Sequence, residues 1–543
     1  MNNTVFHFHR PHNEPIFSYA PGTPERASIK AELQRQAANP IEIPLIIGGK
    51  EVRTRKLGQV RNPCDHRQVL ATYHMATELE VQQAVAAALA ARRDWENLSW
   101  VERASITLKA AELLSKRHRN LVNAATMLGQ GKSVYQAEID AAGETIDFLR
   151  YNAYFVSDIY ADQPRSSLDA LNRLEYRPLE GFVFTVSPFN FTAIASNLNM
   201  SVALMGNSAV WKPATTSLLS NYHLMKLWQE AGLPDGVVNF VPGSGSLIGK
   251  TVLAQRDLAG IHFTGSNATF NQLWRGVSDN LERLRTYPRL VGETGGKDFI
   301  FVHASADPAE VATAIVRGAF EYQGQKCSAA SRGYVPSSLW PEVRDRLLAQ
   351  IAEIKVGDVR DFSNFMNAVI DEASFDTIMG YIERARHAPG VEILAGGTGD
   401  KSVGYFIQPT VIQTSDPHFV TMEEEIFGPV MSIHVYQDKD FEAALKLCDE
   451  TSPYGLTGAV FARDRYAFGV ACRALRHAAG NFYLNDKPTG AMVGLQPFGG
   501  ARGSGTNDKA GGPLNLMRWV SPRTIKETFV PATHFAYPFL AEP

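Results

Sequence analysis

From Gly181 to Trp211 the chain runs for 31 residues without a charged side chain. About 20 apolar residues suffice to cross a bilayer, so this run constrains the fold more than any other feature. It carries Pro188, Asn190, Asn197, Asn199 and Asn207, polar groups that lipid would leave unsatisfied. It therefore reads as a buried strand, a loop and a buried helix in a protein core. FVFTV is β-branched and aromatic, and Ile194, Leu198 and Val202 recur at four-residue steps.

The same texture continues downstream. SAVW, VVNFV, GIHFTG, RLVGE and FIFV follow, with helical segments between several of them and one helix stopped by Gly232 and Pro234. Strands alternating with helices at this spacing imply a parallel sheet with helices on its faces. A second alternation from Asp307 to about Tyr483 predicts a second α/β domain, and residues 76–150 are mainly helical. At 543 residues, 45% of them hydrophobic, the chain can fill two such cores.

Other features exclude whole classes of function. A net charge of −3 argues against broad nucleic-acid binding. Cys64, Cys327, Cys448 and Cys472 form neither a disulfide framework nor a CxxC metal spacing, which fits a reducing compartment. The first residues lack the apolar core of a secretory signal and are not clearly rich in Arg and Ser, so neither a signal peptide nor a mitochondrial presequence is read there. His7, His9 and His12 cluster in sequence, but no carboxylate or cysteine completes a ligand set; a mobile terminus without metal is expected.

Three positions carry chemistry. Cys327 lies in GQKCSAASR after the amphipathic run DPAEVATAIVRGAFEYQ. Beside a lysine in a small-residue loop, its thiolate can be held by positive charge and N–H groups. An arbitrary cysteine is more often structural, which is the reading for the other three. Glu293, in VGETGGK, ends an apolar strand. Apolar flanks raise a carboxyl pKa toward that of a general base, although alone such a residue is more often an ion-pair partner. Asn190, after the FVFTV strand, can donate its amide N–H to an oxyanion; alone it is a turn residue.

Taken in order, VSPFNF, WKPA, FTGS, ETGGK, GQKCSAASR and EEIFGPV resemble the aldehyde dehydrogenase superfamily from about Glu42 to Thr528. The resemblance implies an α/β fold of two Rossmann-like domains with parallel sheets plus a β-flap oligomerisation element. Residues 1–161 and 179–293 would form the NAD-binding domain and 294–500 the catalytic domain; 162–178 and 501–543 would form the flap and C-terminal tail. It further implies that Cys327 attacks an aldehyde and that Asn190 and the Cys327 N–H stabilise the alkoxide. Glu293 would activate the water that hydrolyses the thioester, which favours hydrolysis over acyl transfer to coenzyme A. NAD would lie on Ser187, Lys212, Gly243, Gly265 and Ser266, with Glu425 accepting from a ribose and Phe427 beside the nicotinamide. No GxGxxG follows a first strand, and Thr215 stands where many NAD-preferring relatives carry an acid, so NADP stays open as a second coenzyme.

ETGGK, Ser328 and NDKPTGAMVGLQPFGGARGSGTNDKAGGP resemble one branch of that family, which oxidises L-glutamate 5-semialdehyde to glutamate in proline catabolism. That branch implies Gly490 and Ala491 N–H groups and the Ser328 hydroxyl on the substrate carboxylate, with Phe191 and Phe498 as apolar walls. Glu144 would face the substrate ammonium, although a charge on a helix is usually a solvated face. The alternative is another short acidic semialdehyde such as succinate semialdehyde. A non-catalytic relative would have little reason to keep Cys327, Glu293 and Asn190 together. The expected partners are a small aldehyde, a second copy in a homodimer or higher oligomer, and a separate proline dehydrogenase, with neither nucleic acid nor membrane. The expected compartment is the cytoplasm, or the mitochondrial matrix in a eukaryote.

Overall fold

A computed structural model describes residues 6–542. The first sheet comprises β1 (Leu45–Ile47), β2 (Lys50–Val52), β3 (Phe182–Val186), β4 (Ser208–Lys212), β5 (Val238–Phe240), β6 (Leu258–Thr264) and β7 (Arg289–Glu293), in the order β7-β6-β3-β4-β5-β1-β2. From β7 to β5 every pairing is parallel, with Val183 opposite both Ala209 and Gly260. Every residue of β6 is buried, as a strand covered on both faces must be, and its sequence is accordingly an unbroken run with little polarity. The β1–β2 hairpin joins antiparallel, so the sheet is mixed rather than wholly parallel.

The charge-free run forms β3, a turn, the helix Thr192–Leu204 and β4. Its asparagines are satisfied inside the protein. Asn199 donates to Ala195 O (2.8 Å) and accepts from the Thr185 hydroxyl (2.6 Å). Asn207 accepts from Leu179 N (2.9 Å) and donates to Trp519 O (2.8 Å). Such pairing lets polar groups sit in a core that lipid would not tolerate.

The second sheet comprises β8 (Asp298–Val302), β9 (Ala330–Pro336), β10 (Val391–Ala395), β11 (Thr410–Thr414), β12 (Val430–Tyr436), β13 (Thr457–Phe461) and β14 (Asn481–Leu484), in the order β10-β11-β12-β9-β8-β13-β14. Only the β10–β11 pair is antiparallel. No helix among the described residues is long and apolar enough to cross a membrane.

The C-terminal strand Val520–Thr528 pairs antiparallel with this chain's own Ala170–Pro178 in a two-stranded ribbon. The tail is not loose before it: Gly503–Thr506 returns to the end of β7. There Thr294 N donates to Ser504 O (3.0 Å) and Thr506 N to Gly292 O (2.9 Å). Gly505 allows the approach, with φ +127° and a hypothetical Cβ only 2.2 Å from Gly292 O. Nor is the histidine-bearing N-terminus loose. Phe8 packs edge-on against Trp100, Glu14 pairs with Arg119 (2.7 Å) and Arg150 (2.6 Å), and Tyr19 donates to Glu138 (2.8 Å). No group of three or more His, Cys, Asp or Glu among the described residues could hold a metal.

The helix Thr192–Leu204 begins two residues after Asn190 and is anchored by a buried ion pair. Asp140 accepts from Thr192 N (3.0 Å), Ala193 N (2.8 Å) and Lys132 Nζ (2.7 Å). Both charged side chains are almost fully buried. Replacing Asp140 by Ala strands a cation in the core and uncaps the helix, at a cost of about 3–5 kcal/mol. Calorimetry is expected to show a sharply lowered melting midpoint for Asp140→Ala; an unchanged midpoint would contradict this account.

Candidate active site

A cavity of about 640 Å³ is lined from both sheets by Cys327, Ser328, Glu293, Phe191, Phe498, Gly490 and Ala491. Cys327 reaches it through an unusual backbone. The helix Pro308–Phe320, capped by Asp307, gives way to Tyr322, Gln323 and Gly324 at φ 52°, 55° and 66°. Two non-glycine residues in the left-handed region are held only by strong local constraints. Gln323 supplies them: its amide donates to Gly131 O and Ala368 O (2.8 Å each) and accepts from Asn367 N (3.0 Å). Gln325 accepts from Ile370 N (2.9 Å), and its carbonyl accepts from Asn190 Nδ2 (3.1 Å). Asn190 therefore sits directly beneath the cysteine turn, 3% exposed, with one amide hydrogen uncommitted among the described residues.

Cys327 Sγ lies 3.8 Å from Glu293 Oε1. Glu293 ends β7, and its backbone bridges to Gly505. Burial pushes its carboxyl up to about 7, opposed in part by the bond from Cys327 and by Lys509. The Lys509 ammonium is fixed by Gly480 O (2.8 Å), Gly499 O (2.9 Å) and Asn481 Oδ1 (3.3 Å). The expectation of a thiolate held by local positive charge is overturned. Lys326 is committed to Glu321 (3.1 Å). Burial, with the carboxyls of Glu293, Asp298, Glu425 and Glu144, drives the Cys327 thiol well above the ordinary range. These surroundings favour the neutral thiol, beside a carboxyl that burial raises to about 7.

At another part of the wall the Ser328 and Thr489 hydroxyls are bonded (2.9 Å). Gly490 has φ +97°, and among the described residues neither its N–H nor that of Ala491 has an acceptor. Lys487 Nζ lies 3.5 Å from where a Gly490 Cβ would be, adding a cation to this donor cluster. Phe191 presents its ring to the Lys132 ammonium at 3.9 Å. Glu144 is not on a solvated face; it lines the cavity, and burial raises its carboxyl well above the usual range. Sequence reading missed Gln323, Lys487, Thr489, Lys509 and the Lys132–Asp140 pair. Gln323, Lys487, Thr489 and Lys509 all lie inside motifs already noted, so proximity to a motif was the available signal.

The positions expected to hold a dinucleotide fall at the carboxyl ends of adjacent strands. Ser187 follows β3, Lys212 ends β4, Gly243 follows β5, and Gly265 and Ser266 follow β6. The chain leaves β3 toward β4 and β6 toward β7, in opposite directions, so a switch point opens between β3 and β6, where such sheets bind ligands. Lys212 makes no ion pair or side-chain hydrogen bond among the described residues, and burial lowers its pKa. A sheltered cation without a counter-group suits a ligand rich in hydroxyl acceptors. Ser187 Oγ accepts from Trp211 Nε1 (2.9 Å), and Ser266 caps the helix Asn267–Ser278. Glu425 accepts from Gly296 N (2.9 Å), and burial pushes it up to about 7. Phe427, at φ 58°, sets its ring edge-on to Phe189 at 5.7 Å. These groups fit a dinucleotide.

Residues 51–525 match the family model described as Aldehyde dehydrogenase family. A Dictyostelium discoideum protein named delta-1-pyrroline-5-carboxylate dehydrogenase, mitochondrial, is 52% identical over 536 residues, covering 98% of this chain and 96% of that protein. The crystal structure of the delta-pyrroline-5-carboxylate dehydrogenase from Mycobacterium tuberculosis bound with NAD matches with a TM-score of 0.96 and 51% identity over 100% of both chains. That of proline utilization A from Bdellovibrio bacteriovorus matches with a TM-score of 0.91 and 30% identity, over 96% of this chain and 54% of that one. With the family model spanning most of its length and relatives this similar end to end, the chain belongs to the aldehyde dehydrogenase family.

Proposed function

We propose that this chain oxidises L-glutamate 5-semialdehyde, the open form of Δ1-pyrroline-5-carboxylate, to L-glutamate with NAD, through a thioester on Cys327. The observation that carries the reading is the 3.8 Å approach of Cys327 Sγ to Glu293 in a cavity that also presents Ser328 and the N–H groups of Gly490 and Ala491, which have no acceptor among the described residues. The names of the relatives at about half identity support the substrate.

Glu293, as carboxylate, takes the thiol proton while Sγ bonds to the aldehyde carbon. The alkoxide forms against the free amide hydrogen of Asn190 and the Cys327 N–H, which has no acceptor among the described residues. Ser187, Lys212, Gly243, Gly265, Ser266, Glu425 and Phe427 would hold NAD, which when bound would supply the acceptor for the hydride. After releasing its first proton to solvent, Glu293 draws a second one from the water that attacks the thioester; the C–S bond then breaks, that proton passes to Cys327 Sγ to restore the thiol, and glutamate leaves. Ser328, Gly490 and Ala491 hold the substrate carboxylate, assisted by Lys487, while Phe191 and Phe498 flank the methylene chain. Glu144 is the acid placed for the ammonium.

Residues 1–161 with 179–293 serve as the coenzyme domain and 294–500 as the catalytic domain. In the ribbon of Ala170–Pro178 and Val520–Thr528 the outer edge of the first strand is covered by Gln163 and Ser166, whereas that of the second, at Thr524 and Lys526, has no backbone partner among the described residues and suits a second copy in a homodimer or larger assembly. A proline dehydrogenase is the enzyme that would supply the cyclic substrate as a partner. Thr215 adds no carboxylate beyond Lys212 to repel a 2′-phosphate, so NADP is expected to serve as a poorer coenzyme.

In a screen followed by NADH absorbance, kcat/KM for L-pyrroline-5-carboxylate is expected to exceed that for succinate semialdehyde, and Cys327→Ala to be inactive on both. A reversed preference would overturn the substrate assignment. Only ionised Glu293 is a base, so thioester hydrolysis should quicken as pH rises through about 7 and then level off. Glu293→Gln should abolish that rise, lower turnover by about 10²–10⁴-fold and leave an acyl-enzyme visible by mass spectrometry. Normal turnover without acyl-enzyme would refute the role of Glu293.

A further inference from the structure

We infer that the N-terminal strap, residues 10–16, is part of the specificity machinery: it fixes the loop that receives the substrate carboxylate, with Asn13 as the positioning residue. This rests on the function proposed above and assigns the strap a task within it. Asn13 Nδ2 donates both to Val493 O (2.9 Å) and to Asp147 Oδ2 (2.7 Å), while its Oδ1 accepts from the Tyr151 hydroxyl (3.2 Å). Arg10 donates to Gly494 O (3.0 Å). Among the described residues, the Val493 and Gly494 carbonyls accept from the strap alone.

These two carbonyls close the segment that begins at Thr489 and exposes the Gly490 and Ala491 N–H groups. A backbone that must offer two donors to an anion needs fixed orientation, and the glycines at 490 and 494, both at positive φ, supply none of their own. Tyr151, held by Asn13, lies so close over Gly494 that a Cβ there would be 2.1 Å from its ring. Asn13 thus bridges the helix Thr145–Ala161, through Asp147 and Tyr151, to the far end of the loop. The strap itself is secured elsewhere, by Glu14 on Arg119 and Arg150 and by Tyr19 on Glu138. Removing the Asn13 amide therefore loosens the loop while the strap stays docked.

The loop meets the carboxylate end of the substrate and the chemistry occurs at Cys327, so the effect falls on KM for carboxylated aldehydes. Steady-state kinetics of the full-length wild type, Asn13→Ala and Arg10→Ala with L-pyrroline-5-carboxylate and with pentanal, at saturating NAD, test this. Asn13→Ala is expected to raise KM for pyrroline-5-carboxylate about ten-fold, with Arg10→Ala in the same direction and smaller. Its kcat should stay within about two-fold, and kcat/KM for pentanal should not change. Unchanged KM in both variants, or equal losses on the two aldehydes, would overturn the positioning role while leaving the proposed function intact. A wild type inert on pyrroline-5-carboxylate but active on pentanal would remove the function and the inference with it.

Discussion

Everything in the site depends on two side chains from different sheets meeting in a buried pocket, where Lys509 only partly offsets the burial of Glu293. Glu293 ends a strand of the first sheet and Cys327 precedes a strand of the second, yet Sγ and Oε1 stand 3.8 Å apart. Burial raises both proton affinities. Were the two ionised together, their repulsion in a medium of low effective dielectric would be severe. The pair therefore holds at least one proton, and which atom carries it defines the state of the site.

Such a meeting has to be enforced against the slack of two separate cores, and buried polar groups do it. Asp140 grips the N-terminus of the helix Thr192–Leu204 and so locates Asn190 and Phe191. Gln323 bonds three backbone groups from two distant segments and stabilises the left-handed turn before Cys327. Gly503–Thr506 pairs with the end of β7 and fixes Glu293. Each anchor is worth little alone, but breaking one leaves a buried partner unsatisfied, a larger loss than the bond itself contributes. Geometry at the site is thereby tied to the stability of the interior.

This explains which parts could be read from the chain. Strands of a parallel sheet are buried on both faces, so FVFTV and GIHFT announce themselves as continuous apolar runs, and the two α/β units follow from their spacing. Cys327, Glu293 and Asn190 stood out through the motifs around them. What escaped were relations between distant positions. That RTIKET pairs with LNRLEY in the same chain is not written in either segment. Asn13 reaches its acceptor across 480 residues, so a polar N-terminus looked loose when it is fastened. Lys326 suggested a thiolate because it adjoins Cys327 in sequence, whereas the fold turns its ammonium to Glu321.

The last of these misreadings carries a mechanistic consequence. With the adjacent lysine neutralised and four carboxyls nearby, the thiol cannot rely on a standing positive field, and ionisation has to coincide with proton removal by Glu293. On the proposed reading one carboxyl then serves both halves of the reaction, first for sulfur and then for water. A group asked to accept a proton twice and release it between must be neither a strong nor a weak acid, and burial supplies that compromise by bringing Glu293 to about 7. Lys509, locked onto two backbone carbonyls and Asn481, keeps burial from raising it further, because a cation that cannot swing away stabilises the carboxylate at a constant distance. A thiolate prepared in advance would make the first proton transfer unnecessary, but before substrate binds it would set a second anion beside Glu293 and hold a proton on that carboxyl. When water has to be activated the sulfur is a neutral thioester, so Glu293 then faces no anion at Sγ and its basicity is set by burial and Lys509.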